Sequence, residues 1–210
     1  WKKMYQGIFR ANMLLETLDV VKTWENPELK DQIAAEARFL RAYFYFDLCR
    51  MFGTVPLVLT TEAVNNPRAE AKDLYAQIAE DLKYAIQTLP DKKYEPKDSQ
   101  LGHATKWAAE SLLARVYLFY TGYYNQDALP LPDGGSVNKQ EVIDWLDDCI
   151  NNSGHGLVSN FGNLWPYANS ATAPDYKFVV DNNLSWVGDD QNNETIFAIK
   201  YSAMGNHSTS

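Results

Sequence analysis

Over the first 152 residues, apolar positions recur every three or four residues, the period of an amphipathic helix. In the first stretch, residues 1–18, Tyr5, Ile8, Phe9, Asn12, Leu15 and Leu18 fall close to one face. The second has a defined start: Asn26 at the N-cap, Pro27 at the first helical position, Glu28 in the first turn. It runs to Phe52, where Gly53 and then Pro56 end it. Within it, AAEARFLRAYFYFDLCRMFGTVPLV (residues 34–58) carries two apolar stripes rather than one. Ile33, Ala37, Leu40, Phe44 and Met51 make the first, and Phe39, Tyr43, Phe46 and Arg50 the second. A surface helix needs a single stripe, so this one is expected to be covered on more than one side. Its tail, VPLVLTT, reads as extended chain.

Three further helices follow. One spans residues 70–89, with Leu74, Ile78, Leu82, Ala85, Ile86 and Leu89 facing inward and Pro90 as the stop. The next opens at Thr105 and is expected to end near Thr121, before Gly122. The fifth, residues 139–151, is opened by Asn138 with Glu141 three residues later, a capping-box arrangement. Residues 34–46 align without gaps on residues 108–120, at an offset of 74: Ala-Ala-Glu, Arg41/Arg115 and Tyr43/Tyr117 coincide. The preceding helices correspond loosely as well. A repeated helix pair stacks its inner helices between two neighbours, which accounts for the double stripe.

From Gly156 the helical period disappears. SNFGNLWPYANSATAPDYKFVVDNNLSWVGDDQNN is rich in Asn, Gly, Pro and aromatics, and ETIFAIKYS (194–202) then reads as a strand in need of a partner. The expected organisation is a helical scaffold over residues 1–152, with a loop-rich segment at 153–210 packed on it within one domain. The fold class is mainly α with minor β.

Composition narrows the function. A net charge of −8 and a pI near 4.9 exclude a nucleic-acid surface, which needs clustered Lys and Arg. No apolar run reaches the ~20 residues of a membrane span. The chain opens on WKKMYQ without a methionine start, so it reads as a processed or trimmed segment. Cys49 and Cys149, both in helical pattern, are expected to be free and buried.

Chemistry-bearing residues are few. Glu36 and Glu110 hold equivalent places in the repeat, each five before an arginine. A pair of carboxylates suits a helical glycosidase if both face a cleft; in Ala-rich helices beside Arg38, Arg41 and Arg115 they read as structural ion pairs. His103, His155 and His207 lack ligand spacing, and DDQNNE (189–194) reads as a polar turn, so neither metal nor cofactor is expected.

Residues 34–58 resemble the signature segment of the SusD/RagB-like nutrient-binding lipoproteins of the Bacteroidetes outer membrane. YQGIFRANMLLETL, LYAQIAEDLKYAIQTLP, LGHATKWAAESLLARVYLFYTG and NNETIFAIKYS are similar to further family segments, in the same order. The resemblance implies a tetratricopeptide-like scaffold, no catalysis, capture of a glycan or other nutrient, and delivery to a SusC-like TonB-dependent transporter. It also implies a lipid anchor, outside this segment, on the outer face of the outer membrane. The family's lipidation cysteine and N-terminal part are not in this sequence, and its chains are longer.

The loop aromatics are the expected ligand set. Sugars present apolar C–H faces and a rim of hydroxyls, which flat rings flanked by amides and carboxylates fit. Trp165, Tyr167, Tyr176 and Trp186 are interleaved with Asn163, Asn169, Asp175, Asn182 and Asp189. Loops on a scaffold are where binding residues concentrate. Tyr123 and Tyr124, expected just past a helix end, are lesser candidates. A tetratricopeptide-like adaptor, binding a protein or peptide on a concave helical face, is the alternative reading.

Overall fold

A computed structural model of the chain describes residues 1–24, 26–95, 97–164, 176–183 and 193–199. The helices are α1 (Lys2–Thr17), α2 (Pro27–Phe52), α3 (Ala71–Thr88), α4 (Lys106–Tyr124), α5 (Lys139–Asn152) and the short α6 (Lys177–Asp181). A two-residue hairpin pairs β1 (Leu129–Pro130) antiparallel with β2 (Ser136–Val137). The chain divides into two compact units, Trp1–Lys93 with His103–Gly154, and Tyr94–Gly102 with His155–Ser210.

The first unit is a mainly helical, tetratricopeptide-like array. Each long helix packs on the next: α1 on α2, α2 on α3, α3 on α4 and α4 on α5. The inner helices α2 and α4 therefore have neighbours on two sides, as the double stripe requires. The stripes themselves are distributed differently from the expectation. Phe39 and Phe46 are buried, whereas Leu40 and Met51 are exposed. The surface that meets α1 and α3 includes Ala34, Ala35, Ala42, Tyr45 and Leu48, because small residues let two flanking helices approach closely. The same closeness shows on α1, where a Cβ added at Gly7 would lie 2.3 Å from the Phe44 ring.

Local signals set most helix ends. The Asn26 side chain accepts from Glu28 N at 2.9 Å, and Asn138 and Glu141 form the reciprocal capping box. α4 runs three residues past the expected Thr121, through Gly122, and stops at Asn125 in the left-handed region (φ 51°). Asn tolerates that conformation better than most residues. Cys49 and Cys149 are free and buried.

The extended segment after α2 satisfies its backbone through side chains. Tyr45 Oη donates to Val58 O (2.9 Å) and accepts from Val58 N (2.7 Å), while Tyr5 Oη donates to Pro56 O (2.7 Å). Asn12 Nδ2 donates to Val58 O (3.0 Å) and Thr60 O (3.3 Å), and the Glu16 carboxylate accepts from Thr61 N at 2.9 Å. Its partner in a bridge is Arg68, opposite Pro56. The strand expected over 194–202 is not formed over its described part, 194–199; residues 200–202 lie outside the described residues.

Arg41 ties this arrangement together. Its guanidinium forks onto Asp81 (Nε–Oδ2 and Nη2–Oδ1, both 2.7 Å) and donates through Nη1 to Asn12 Oδ1 (2.9 Å). One buried cation thus links α1, α2 and α3. The expected pairing with Glu36 is corrected: five residues put the two side chains ~140° apart around the helix. Glu36 instead meets His103 Nδ1 (Oε2, 2.9 Å) and Gln32 Nε2 (3.2 Å). Arg115, the counterpart of Arg41, is exposed.

Candidate ligand-binding site

Of the nine expected ligand residues, Asn163, Tyr176 and Asn182 are described. Trp165, Tyr167, Asn169, Asp175, Trp186 and Asp189 lie outside the described residues. Asn163 is half-buried in a 3-10 turn, Phe161–Leu164, and its N–H donates to Asn160 O at 3.0 Å. Tyr176 stands at the N-cap position of α6 with its ring exposed. Asn182 is at the other end of α6, where its Nδ2 donates to Phe178 O at 2.8 Å. The amide nitrogen is thus engaged at the end of the helix. Tyr176 and Asn182 thus bracket one turn and a half of helix, and Asn163 comes from a separate turn.

The described ends of this segment are fastened to each other. Gly156 N donates to Asn193 O at 3.1 Å, and His155 Nδ1 lies 3.1 Å from the same oxygen. Val158 N donates to Glu194 Oε1 at 2.7 Å. A hydrogen-bonded neck therefore closes a loop whose interior runs from 159 to 192. At Gly156 an added Cβ would meet Asn193 Nδ2 at 3.3 Å, so a side chain there would need Asn193 to give by a few tenths of an ångström. Sequence reasoning placed Asn193 and Glu194 at a strand entry and overlooked this role. The signal was Gly156, where the helical period stops.

A second aromatic surface lies in the first unit. Tyr123 is 72% exposed and stacks on Phe119 (centroids 5.5 Å apart, 12° between planes). Phe119 in turn stacks on buried Tyr75 (6.3 Å, 11°). Tyr124 meets Tyr123 edge-on at 4.9 Å. Both tyrosines sit in the last turn of α4, not beyond it. The remaining sequence candidates, Glu36 and Glu110, are occupied structurally. Glu36 holds His103, and Glu110 has no exposed surface between α4 and α5, so no substrate reaches it. Among the described residues, no group of three or more His, Cys, Asp or Glu could hold a metal ion.

The scaffold decides the family. A family model described as "Starch-binding associating with outer membrane", of SusD-like type, matches residues 1–118, which run from α1 through most of α4. The chain belongs to the SusD-like family. A SusD-like protein of Bacteroides ovatus is 30% identical over 178 residues, 81% of this chain and 30% of its own length. Among solved structures, a laminarin binding SusD-like protein is 30% identical with a TM-score of 0.64, covering 79% of this chain and 33% of the other. A chain solved with xylogluco-oligosaccharide is 25% identical with a TM-score of 0.69, covering 99% of this chain and 36% of the other.

The SusD-like chain thus spans 30% of that curated relative and about a third of the solved ones (33% and 36%). The region that the family model matches contains the Asn12–Arg41–Asp81 network and the first copy of the repeat. Residues 159–192 lie outside the family match.

Proposed function

We propose that this SusD-like chain is part of a cell-surface glycan-binding protein that passes its ligand to a SusC-like TonB-dependent transporter. In this reading a lipid anchor carried elsewhere in the protein holds it on the extracellular face of the outer membrane. The observation that carries it is the loop of residues 159–192: rich in aromatics and amides, fastened at its neck, and set in a family with relatives named for glycan binding. Trp165, Tyr167, Tyr176 and Trp186 would stack on the C–H faces of sugar rings. Asn163, Asn169, Asp175, Asn182 and Asp189 would take the hydroxyl rim. Binding of this kind needs preorganised rings and no catalytic group.

The test is a glycan-array screen of the chain, with laminarin and xyloglucan oligosaccharides among the probes. The expected result is saturable binding to at least one glycan class. A folded chain that binds none of the array would overturn the assignment of the ligand site to this segment. Co-purification with the outer-membrane fraction would test the transporter partnership: a SusC-like β-barrel protein is expected to travel with the full-length protein, and its absence would remove that part of the reading.

A further inference from the structure

The contact between α4 and α5 buries more negative charge than it can pair. Glu110, in the second turn of α4, has no exposed surface, and neither of its carboxyl oxygens has a hydrogen-bond partner among the described residues. The nearest cation is Lys106, one turn earlier on the same helix, with Nζ 3.7 Å from Oε1, too long for a hydrogen bond. Lys106 is already committed, because its Nζ lies 2.5 Å from Asp148 Oδ2 on α5. Asn152 Nδ2 donates to the other oxygen of Asp148 at 2.6 Å. Beside this group Ser111 Oγ faces Cys149 Sγ at 3.8 Å. Asp91 also acts on Lys106, from the segment after α3. One lysine therefore serves two carboxyl groups, one of them sealed from water.

We propose that Glu110, Lys106 and Asp148 form a proton-operated latch between α4 and α5. With Glu110 neutral, Lys106 and Asp148 make a matched pair across the interface and the buried carboxyl is tolerated without charge. With Glu110 ionised, a second carboxylate competes for the same lysine and must draw in water, which loosens α5. A buried carboxyl that lacks hydrogen bonds to its charged form is pushed upward. Burial raises Glu110 to about 7, Lys106 opposes the rise, and Asp148 adds to it. The Lys106 hydrogen bond, and then that of Asn152, holds Asp148 below its ordinary range, so Asp148 stays charged throughout.

The direction follows from linkage. The unfolded carboxyl titrates near 4.5 and the folded one near 7, so the native chain holds an extra proton in that window. Stability therefore falls as pH rises through it and levels off above it. The latch is closed below neutrality and released above it. This inference is independent of the glycan reading.

The experiment is a carbon-13 NMR titration of the Glu110 carboxyl in the wild-type chain. It is paired with hydrogen exchange of α5 amides at pH 6 and pH 8.5, referenced to α2 amides in the same sample. The wild type is expected to titrate near neutrality and to lose α5 protection at the higher pH. Glu110→Gln, isosteric and uncharged, is expected to keep α5 equally protected at both. Asp148→Asn frees Lys106 for Glu110 and is expected to move the titration to lower pH. A Glu110 carboxyl titrating below 5, or α5 protection that falls equally in Glu110→Gln, would overturn the proposal.

Discussion

At the residue scale, Arg41 carries the most consequence for the scaffold. It is buried, forked onto Asp81 and bonded to Asn12, while Asn12 in turn holds the carbonyls of Val58 and Thr60. Removing the guanidinium leaves Asp81, itself fully buried, with only Gln77 Nε2 at 3.1 Å and the more distant Arg38 Nη1 at 3.9 Å to offset its charge. Arg41→Met is therefore expected to cost about 3–5 kcal/mol in urea unfolding. Adding Asp81→Leu is expected to recover most of that loss, because the orphaned charge goes with it. A single-variant cost under about 1 kcal/mol would show that the network does not anchor the three helices. The repeat in the sequence made Arg41 and Arg115 look alike, yet one is buried and the other exposed. The difference comes from what the neighbouring helices present, Asn12 and Asp81 in the first case, which spacing along a single helix does not reveal. Candidate ligand residues were less legible still. Asn182 read as part of an irregular loop, and it stands at the end of the short helix α6, where its Nδ2 donates to Phe178 O.

Elements were legible where their ends are set locally. Asn26–Pro27, Thr105 and the Asn138–Glu141 box each act within four residues, so the starts of α2, α4 and α5 fall where the sequence places them. The box also lends itself to measurement. Asn138→Ala removes the acceptor for Glu141 N, and is expected to lower stability by about 1 kcal/mol and fray the first turn of α5 in hydrogen exchange. An unchanged melting curve would mean that packing alone fixes that turn. Elements that depend on distant partners were not legible. The β1–β2 hairpin has two residues per strand, too few for alternation to register, and it turns on Gly134 at φ 87°. The extended segment after Gly53 was foreseen, but its partners were not. It rests on side chains from α1 and α2, more than ten residues away in sequence.

At the scale of the whole molecule, two kinds of information divide the chain. Residues 1–118 match the SusD-like family and fold as a stacked helical array, with ordinary apolar burial and the buried Asn12–Arg41–Asp81 network. Residues 159–192 are rich in aromatics, Asn, Gly and Pro, and the segment is fastened at a neck through Gly156, Val158, Asn193 and Glu194. We infer that the loop, rather than the exposed Tyr123 stack on α4, provides the ligand contacts. The most direct measurement is calorimetric titration with the tightest-binding glycan of the array, run on the wild type, Trp165→Ala/Trp186→Ala, and Tyr123→Ala. Loss of a stacked ring costs about 1–3 kcal/mol by analogy with base stacking on aromatic side chains, so the loop variant is expected to bind at least about tenfold more weakly. Tyr123→Ala is expected to bind as the wild type does. The reverse pattern, with affinity kept in the folded loop variant and lost in Tyr123→Ala, would contradict the account and move the site to the helical array.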